Sequence, residues 1–430
     1  MKKLLVGFFA LSLVLAFAMP ASAVDVGFSG QFYVGGIYED NIDLLPAPSA
    51  GFGDSSAWYF QRLRVQTEFK VQPGLKLVTR FDAMEGYWNG TSGPTSYDST
   101  ATRDDDNIDF DRAYIEAKLK YGVLTVGYFQ GGVWGTWFAD EEIDVSRIKF
   151  QTMVKGLVLG GVYQKSSELD KGTAFTDRDT DVYYLYAVKP LKGGAAGLLY
   201  AYADAKAAAY ATNYHSLLPY VKYKTGNLYV EAEAIYQFGA LIDYDSAALA
   251  DIDKDSWSAY VQAKYNLGQW YVGGQVAWVQ GDDPATRDNE AGSSGEDYDP
   301  CLILWNSDLT MWRGENLGTN SEQGVAITAE MTNAWLYQIY AGYVPTKKLS
   351  LHASYSIAKA DEKKLTATTT AIDDEIGSEF DLTATYKLFD NLEYMVGFGY
   401  FWAGDWFKKT TTTARVDDDY IVLHKLTLNF

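Results

Sequence analysis

Asp419-Tyr420-Ile421-Val422-Leu423-His424-Lys425-Leu426-Thr427-Leu428-Asn429-Phe430 decides how the chain is read. Counting back in twos from Phe430 gives Leu428, Leu426, His424, Val422 and Tyr420. The other parity gives Asn429, Thr427 and Lys425, with Leu423 and Ile421 further up. An apolar face and a mostly polar face repeating every two residues make a strand seated between two unlike media. An aromatic final residue is unusual, because soluble domains commonly leave polar, frayed termini. A terminal strand leaves an open sheet edge unless another strand of the same chain closes on it.

At the other end, Met1-Lys2-Lys3 precedes the apolar run Leu4 to Ala18 and the small-x-small end Ala21-Ser22-Ala23. This pattern reads as a secretory signal peptide over 1–23, cut near Ala23, with one domain over 24–430. No later apolar run is long enough to cross a bilayer as a helix. Losing Lys2 and Lys3 takes the formal net charge from -20 to -22. Aromatics make up 15% of residues, with 33 Tyr, and Gly is frequent at 39 against 10 Pro. Tyr, Trp and Gly suit strands that cross a membrane interface and bend around a barrel. The single Cys301 excludes an intrachain disulfide framework. Strong acidity disfavours nucleic-acid binding, which needs clustered Lys and Arg.

The chain then repeats one unit: amphipathic strand, polar loop, amphipathic strand, short turn. Tight turns fall at Gln72-Pro73-Gly74, Tyr121-Gly122, Gly156, Lys192-Gly193-Gly194, Thr225-Gly226-Asn227, Leu267-Gly268, Pro345-Thr346-Lys347 and Asp390-Asn391. Between them lie polar loops around 40–56, 89–106, 169–178, 206–212, 241–254, 282–332, 361–376 and 407–417. Val123 to Phe138 reads as a single strand. In hydrocarbon every backbone N–H and C=O needs a partner, which only helices or closed barrels supply. The pattern therefore predicts an all-β, transmembrane antiparallel β-barrel of about 18 strands (16–18), a size that leaves an aqueous channel. An even count puts both termini on the short-turn, periplasmic side and the long loops outside.

Taking the apolar parity as lipid-facing assigns the other to the lumen. Tyr59, Leu63, Val65 and Phe69 then face out, while Arg62, Arg64 and Glu68 face in. The same rule puts Arg80, Asp82, Arg112, Glu116, Arg147 and Lys149 inside, with Glu231, Glu233 and Gln237 further along. Such charges need water, since a Lys or Arg facing lipid near the midplane costs about 2–4 kcal/mol. They either neutralise one another along the wall or set a field across a constriction. Much of the acid lies in the predicted outer loops, including Asp104–Asp106, Asp282–Asp283, Asp373–Glu375 and Asp417–Asp419. Salt screens those charges over about 8–10 Å, so mild anion preference is expected, led by Arg62, Arg80 and Arg112. The middle of loop 282–332, Asp299 to Trp312, is apolar for an exposed loop. It folds into the lumen, caps the mouth, or meets a neighbouring barrel or lipid headgroups.

The terminal strand resembles that of Gram-negative outer-membrane β-barrels, His424 standing where an apolar residue is usual. The resemblance implies that Phe430 is part of the signal read by the barrel-assembly machinery. Asp109 to Glu116 followed by Tyr128 to Phe138 looks like a hairpin of porin-like proteins of deltaproteobacterial type. The size is also similar to alginate-export and specific-uptake channels. These likenesses imply an outer-membrane porin, a passive diffusion channel for small hydrophilic solutes, and leave oligomerisation open. The alternatives are a channel dedicated to an acidic polysaccharide or organic anion, or a scaffold or sheath around a partner protein.

Catalysis has little to stand on. His215, His352 and His424 sit on separate predicted strands with no nucleophile motif beside them. No cofactor or metal motif appears. Asp251-Ile252-Asp253-Lys254-Asp255-Ser256 opens like a calcium loop but has Ser256 where Gly is wanted and Gln262 where Glu is wanted. Asp177-Arg178-Asp179-Thr180-Asp181 is weaker still. Acidic outer loops are better read as gathering divalent cations that bridge to lipopolysaccharide phosphates. Deleting Phe430 should slow insertion, measured as the yield of heat-modifiable barrel in cells; an unchanged yield refutes its role in assembly.

Overall fold

Backbone pairing dictates the architecture. The computed structural model describes residues 24–46, 55–88, 94–95, 108–169, 178–207, 209–314, 316–319, 321–323 and 326–430. The signal peptide expected over 1–23 and Asp104–Asp106 lie outside the described residues, as does Asp177. The strands begin with β1 (Asp25–Glu39), β2 (Ser56–Gln72), β3 (Leu75–Trp88), β4 (Ile108–Leu119), β5 (Gly122–Gly131) and β6 (Ile143–Val154). They continue with β7 (Leu157–Ser167), β8 (Thr180–Leu191), β9 (Gly194–Lys206), β10 (Tyr210–Thr225), β11 (Leu228–Tyr244) and β12 (Ile252–Leu267). The last six are β13 (Trp270–Val279), β14 (Ala334–Tyr343), β15 (Leu349–Ala360), β16 (Glu375–Phe389), β17 (Leu392–Ala403) and β18 (Asp419–Asn429). Each pairs antiparallel with the next, and β18 returns to β1 in register from Gln31↔Asn429 to Glu39↔Ile421. Phe430 completes that seam, since Gly30 N donates to its carbonyl at 2.7 Å and its own N–H donates back at 3.0 Å.

Eighteen strands thus close on themselves, and the tight turns fall where the sequence places them. Outward positions such as Leu77, Ile115, Ile148, Leu185, Val261, Ile339 and Val422 are exposed, forming the apolar band a bilayer requires. His424 also faces out, packed between the rings of Tyr59 and Tyr394. Asp251 to Ser256 mostly belongs to β12, so its carboxylates are strung out along one face of an extended strand and cannot wrap one cation.

One strand boundary is corrected. The strand expected over Val123 to Phe138 ends at Gly131, and residues 132–142 (loop L3) leave the wall. Gly132 turns the backbone at φ +71°, and Gly135 at φ +63° lies so close to Glu233 that a Cβ would sit 1.9 Å from its Oε1. Thr136 then donates to Glu233 Oε2 from both N (2.8 Å) and Oγ1 (2.6 Å). The stretch with Val133, Trp134 and Trp137, expected in the strand, belongs to a loop held across the lumen.

The long loop 280–333 (L7) also folds inward. Its helix α1 (Ser307–Arg313) is capped by Asn306, whose side chain accepts from Leu309 N, and stopped by Gly314 at φ +75°. Trp312 stacks on Phe60 with centroids 4.5 Å apart, and Tyr298, Ile303, Leu304 and Trp305 are buried against inward residues such as Ile37, Leu336, Phe401 and Ile421. Arg313 Nε reaches Glu39 Oε1 at 3.1 Å, both side chains almost wholly buried. Removing one partner of such a pair costs about 3–5 kcal/mol, so L7 is anchored. Proteinase K on intact cells should cut the exposed tip Thr366–Thr368 of the β15–β16 loop while 298–312 stays whole. Early cleavage within 298–312 is the opposing outcome.

Candidate functional site

The lumenal faces of β2, β3, β4 and β6 bring Arg62, Arg64, Arg80, Asp82 and Arg112, among the expected charges, into one network. Arg64 grips Asp82 with two bonds, Nε to Oδ1 at 2.8 Å and Nη2 to Oδ2 at 2.7 Å. Arg62 lies 3.4 Å from Glu85 and 3.8 Å from Asp82. Arg80 donates to Asp111 (2.9 Å), Glu142 (2.8 Å) and Asp144 (2.7 Å). Arg112 donates to Asp144 at 2.6 Å and also to Glu142. Lys76 joins Glu68 (3.0 Å) and Glu116 (3.7 Å) lower on the wall. Arg80 and Arg112 are direct cross-strand neighbours, an arrangement that like charges tolerate only with acids between them. Burial pushes the Glu142 carboxyl up, but hydrogen bonds and charge from Arg80 and Arg112 outweigh this and leave it below the usual range.

Four guanidinium groups therefore meet five carboxylates: Asp82, Glu85, Asp111, Glu142 and Asp144. Strict alternation misses Asp111, Glu85 and Asp144, and at the first two a bulge shifts the parity. Phe110 and Asp111 both lie opposite Phe81, so Asp111 joins Arg112 on the inner face. A second irregularity at Met84, φ +53°, turns Glu85 inward. Glu142 enters with L3. Asp419, expected among screened loop acids, is instead fully buried at the β1–β18 seam and accepts from Asn41 N at 3.0 Å.

L3 and L7 pack on one another, Gly295 N donating to Phe138 O (2.8 Å) and Asp297 N to Asp140 O (3.0 Å). Beside them lies a cavity of about 750 Å³ bounded by the walls of β4–β11 and touching Arg112, Glu116, Arg147 and Lys149. Arg62, Arg64, Glu68, Arg80 and Asp82 stand outside its lining. Among the described residues, Arg147 and Lys149 make no ion pair. The Arg147 guanidinium donates to Gln130 O (2.8 Å) and lies over the Phe129 and Tyr184 rings, and Lys149 lies over Tyr186. Tyr214 on the wall and Trp134 on L3 add further rings to the cavity lining.

A closed barrel with an apolar outer band, a charged lumen and two inward loops is an outer-membrane channel of the porin class, and such folds conduct solutes. The chain belongs to the Gram-negative porin family, whose sequence pattern matches residues 10–401. It resides in the outer membrane. Solved structures with the same fold include OccK9 (OpdG) of Pseudomonas aeruginosa, with 15% identity and a TM-score of 0.55 over 94% of this chain and 99% of that one. OccAB2 of Acinetobacter baumannii shares 12% identity with a TM-score of 0.54, covering 94% and 98%. A BenF-like porin from Pseudomonas fluorescens Pf-5 shares 14% with a TM-score of 0.52, covering 94% and 99%. No curated protein sequence matches the chain.

Burial raises two loop carboxyls, Asp140 in L3 to about 6 and Asp299 in L7 to about 7, with nearby acids adding to the effect. A raised carboxyl pKa means the folded loops hold the proton more tightly than the unfolded chain. Their contribution to stability is therefore present at low pH and lost as pH rises through about 6 to 7. Going from about pH 5 to about pH 8 adds two negative charges to the loops bounding the cavity. Ion selectivity should move toward cations over that interval by reversal potential, and Asp140→Asn with Asp299→Asn should flatten the profile. A flat wild-type profile contradicts this.

Proposed function

We propose that this channel passes small hydrophilic solutes by passive diffusion with mild anion preference, set where the lumen is narrowed by L3 and L7. The observation that carries this is the contrast between two groups of cations. Arg62, Arg64, Arg80 and Arg112 are each matched by carboxylates, so their net field is small, whereas Arg147 and Lys149 face the cavity without a carboxylate partner among the described residues. In a confined lumen, unmatched charge acts at short range on passing ions, while charge on loop tips is screened. The lead assigned from sequence to Arg62, Arg80 and Arg112 thus passes to Arg147 and Lys149.

A channel dedicated to an organic anion is the second reading. Tyr184, Tyr186, Tyr214 and Trp134 around the two cations favour it over an acidic polysaccharide. A sheath around a partner protein needs an open bore, and L7 fills much of this one with its own side chains. Recognition of the terminal strand by the assembly machinery, bridging of acidic loops to lipopolysaccharide, deltaproteobacterial kinship and oligomerisation belong to the same proposal.

Single-channel recording in a salt gradient tests it. Wild type should show a reversal potential of anion-preferring sign, and Arg147→Ala with Lys149→Ala should move it toward cations. Cation preference in the wild type, or no shift in the double variant, overturns the assignment.

A further inference from the structure

The only cysteine lies deep inside the lumen, on the apolar stretch of L7. Cys301 meets Glu379 and Asp381, two residues apart on β16 and therefore on one inward face. One ligand atom from each of the three side chains lies within 4.8 Å of the others. Cys301, Glu379 and Asp381 are 3%, 0% and 3% exposed. Glu379 accepts from Ile303 N (2.6 Å) and Leu304 N (2.8 Å), Asp381 Oδ2 from Ser354 Oγ (3.1 Å), and Cys301 Sγ lies 3.3 Å from Ser356 Oγ.

Asp381 Oδ1 is buried without a hydrogen-bond partner. Opposite Asp381 in register stands Gly399, where a Cβ would come within 3.0 Å of that same oxygen. The neighbouring strand thus puts no side chain beside it. Among the described residues, no Lys, Arg or His forms an ion pair with Glu379 or Asp381. Two adjacent carboxylates withdrawn from water are costly unless a proton or a cation lies between them.

We propose that Cys301, Glu379 and Asp381 bind a thiophilic divalent cation of the zinc type, which ties L7 to the barrel wall. The donor set decides the class. A thiolate disfavours calcium and magnesium, which take all-oxygen shells, while zinc accepts sulfur and carboxylate oxygen together. On binding, the thiol proton leaves to solvent and two sulfur lone-pair electrons form the metal–sulfur bond. The site joins the middle of L7 to β16, next to the Arg313–Glu39 anchor, since Arg313 also donates to Leu302 O (3.1 Å) and Ile303 O (3.2 Å). Loading it would hold the loop that bounds the cavity.

The test uses the full, folded barrel in detergent, stripped with chelator and reloaded with zinc or cobalt(II), excess magnesium occupying the loose acidic loops. Wild type should retain one equivalent of zinc, and its cobalt form should show a thiolate-to-metal charge-transfer band. Cys301→Ser should abolish the band, and Asp381→Asn should weaken zinc binding at least tenfold, with folding checked by heat-modifiable gel mobility. No retained zinc, or cobalt bound without the thiolate band, overturns the proposal whether or not the variants fold. Zinc binding that is unchanged in both folded variants overturns it equally, placing the ion on the outer loops.

Discussion

A backbone surrounded by hydrocarbon has no water to bond, so each strand must find both its neighbours within the chain. The pairing of β18 with β1 meets that demand, because it removes the two edges an open sheet of eighteen strands would present. Closure in turn divides every strand into an outer and an inner face. The outer face keeps one chemistry, apolar and aromatic, along its length. The inner face is divided, with charges on the wall of β2 to β6 and apolar or small residues where L7 packs.

That division organises the lumen. On β1 and β14–β18, inward positions such as Ile37, Leu336, Ala358, Phe401, Ile421 and Leu423 are buried against Tyr298, Ile303, Leu304 and Trp305. These contacts make a core inside a barrel that is wide enough to need one. On the opposite wall the bulges at Asp111 and Glu85 supply the acids that let four arginines sit close together. The path left for solutes runs between these regions, beside L3. In the proposed reading its character follows from which cations remain without acids rather than from how many cations the strands carry.

The inward apolar residues of the last strand carried a readable signal. Ile421 and Leu423 break the polar parity of β18, and a water-filled lumen gives no reason for them. Taken with the apolar middle of L7, they point to a loop packed on the wall. L3 was less legible. Gly131-Gly132-Val133-Trp134-Gly135 follows the strand without a polar break, and only the positive φ at Gly132 and Gly135 shows that the chain turns inward.

The sequence by itself determined the barrel, its turns and a count of sixteen to eighteen strands, because a repeat of two and regular turn chemistry are local properties, and it proposed Arg62, Arg64, Arg80, Arg112, Arg147 and Lys149 as lumenal charges. Only the tertiary structure decided which of those charges are matched. Ion pairing depends on bulges that shift parity by one residue, and on Glu142, brought in by L3. It depends equally on where loops go, and a loop of some fifty residues settles against a wall formed by strands from both ends of the chain. Such contacts join residues hundreds of positions apart, as Arg313 does with Glu39, and no local pattern encodes them.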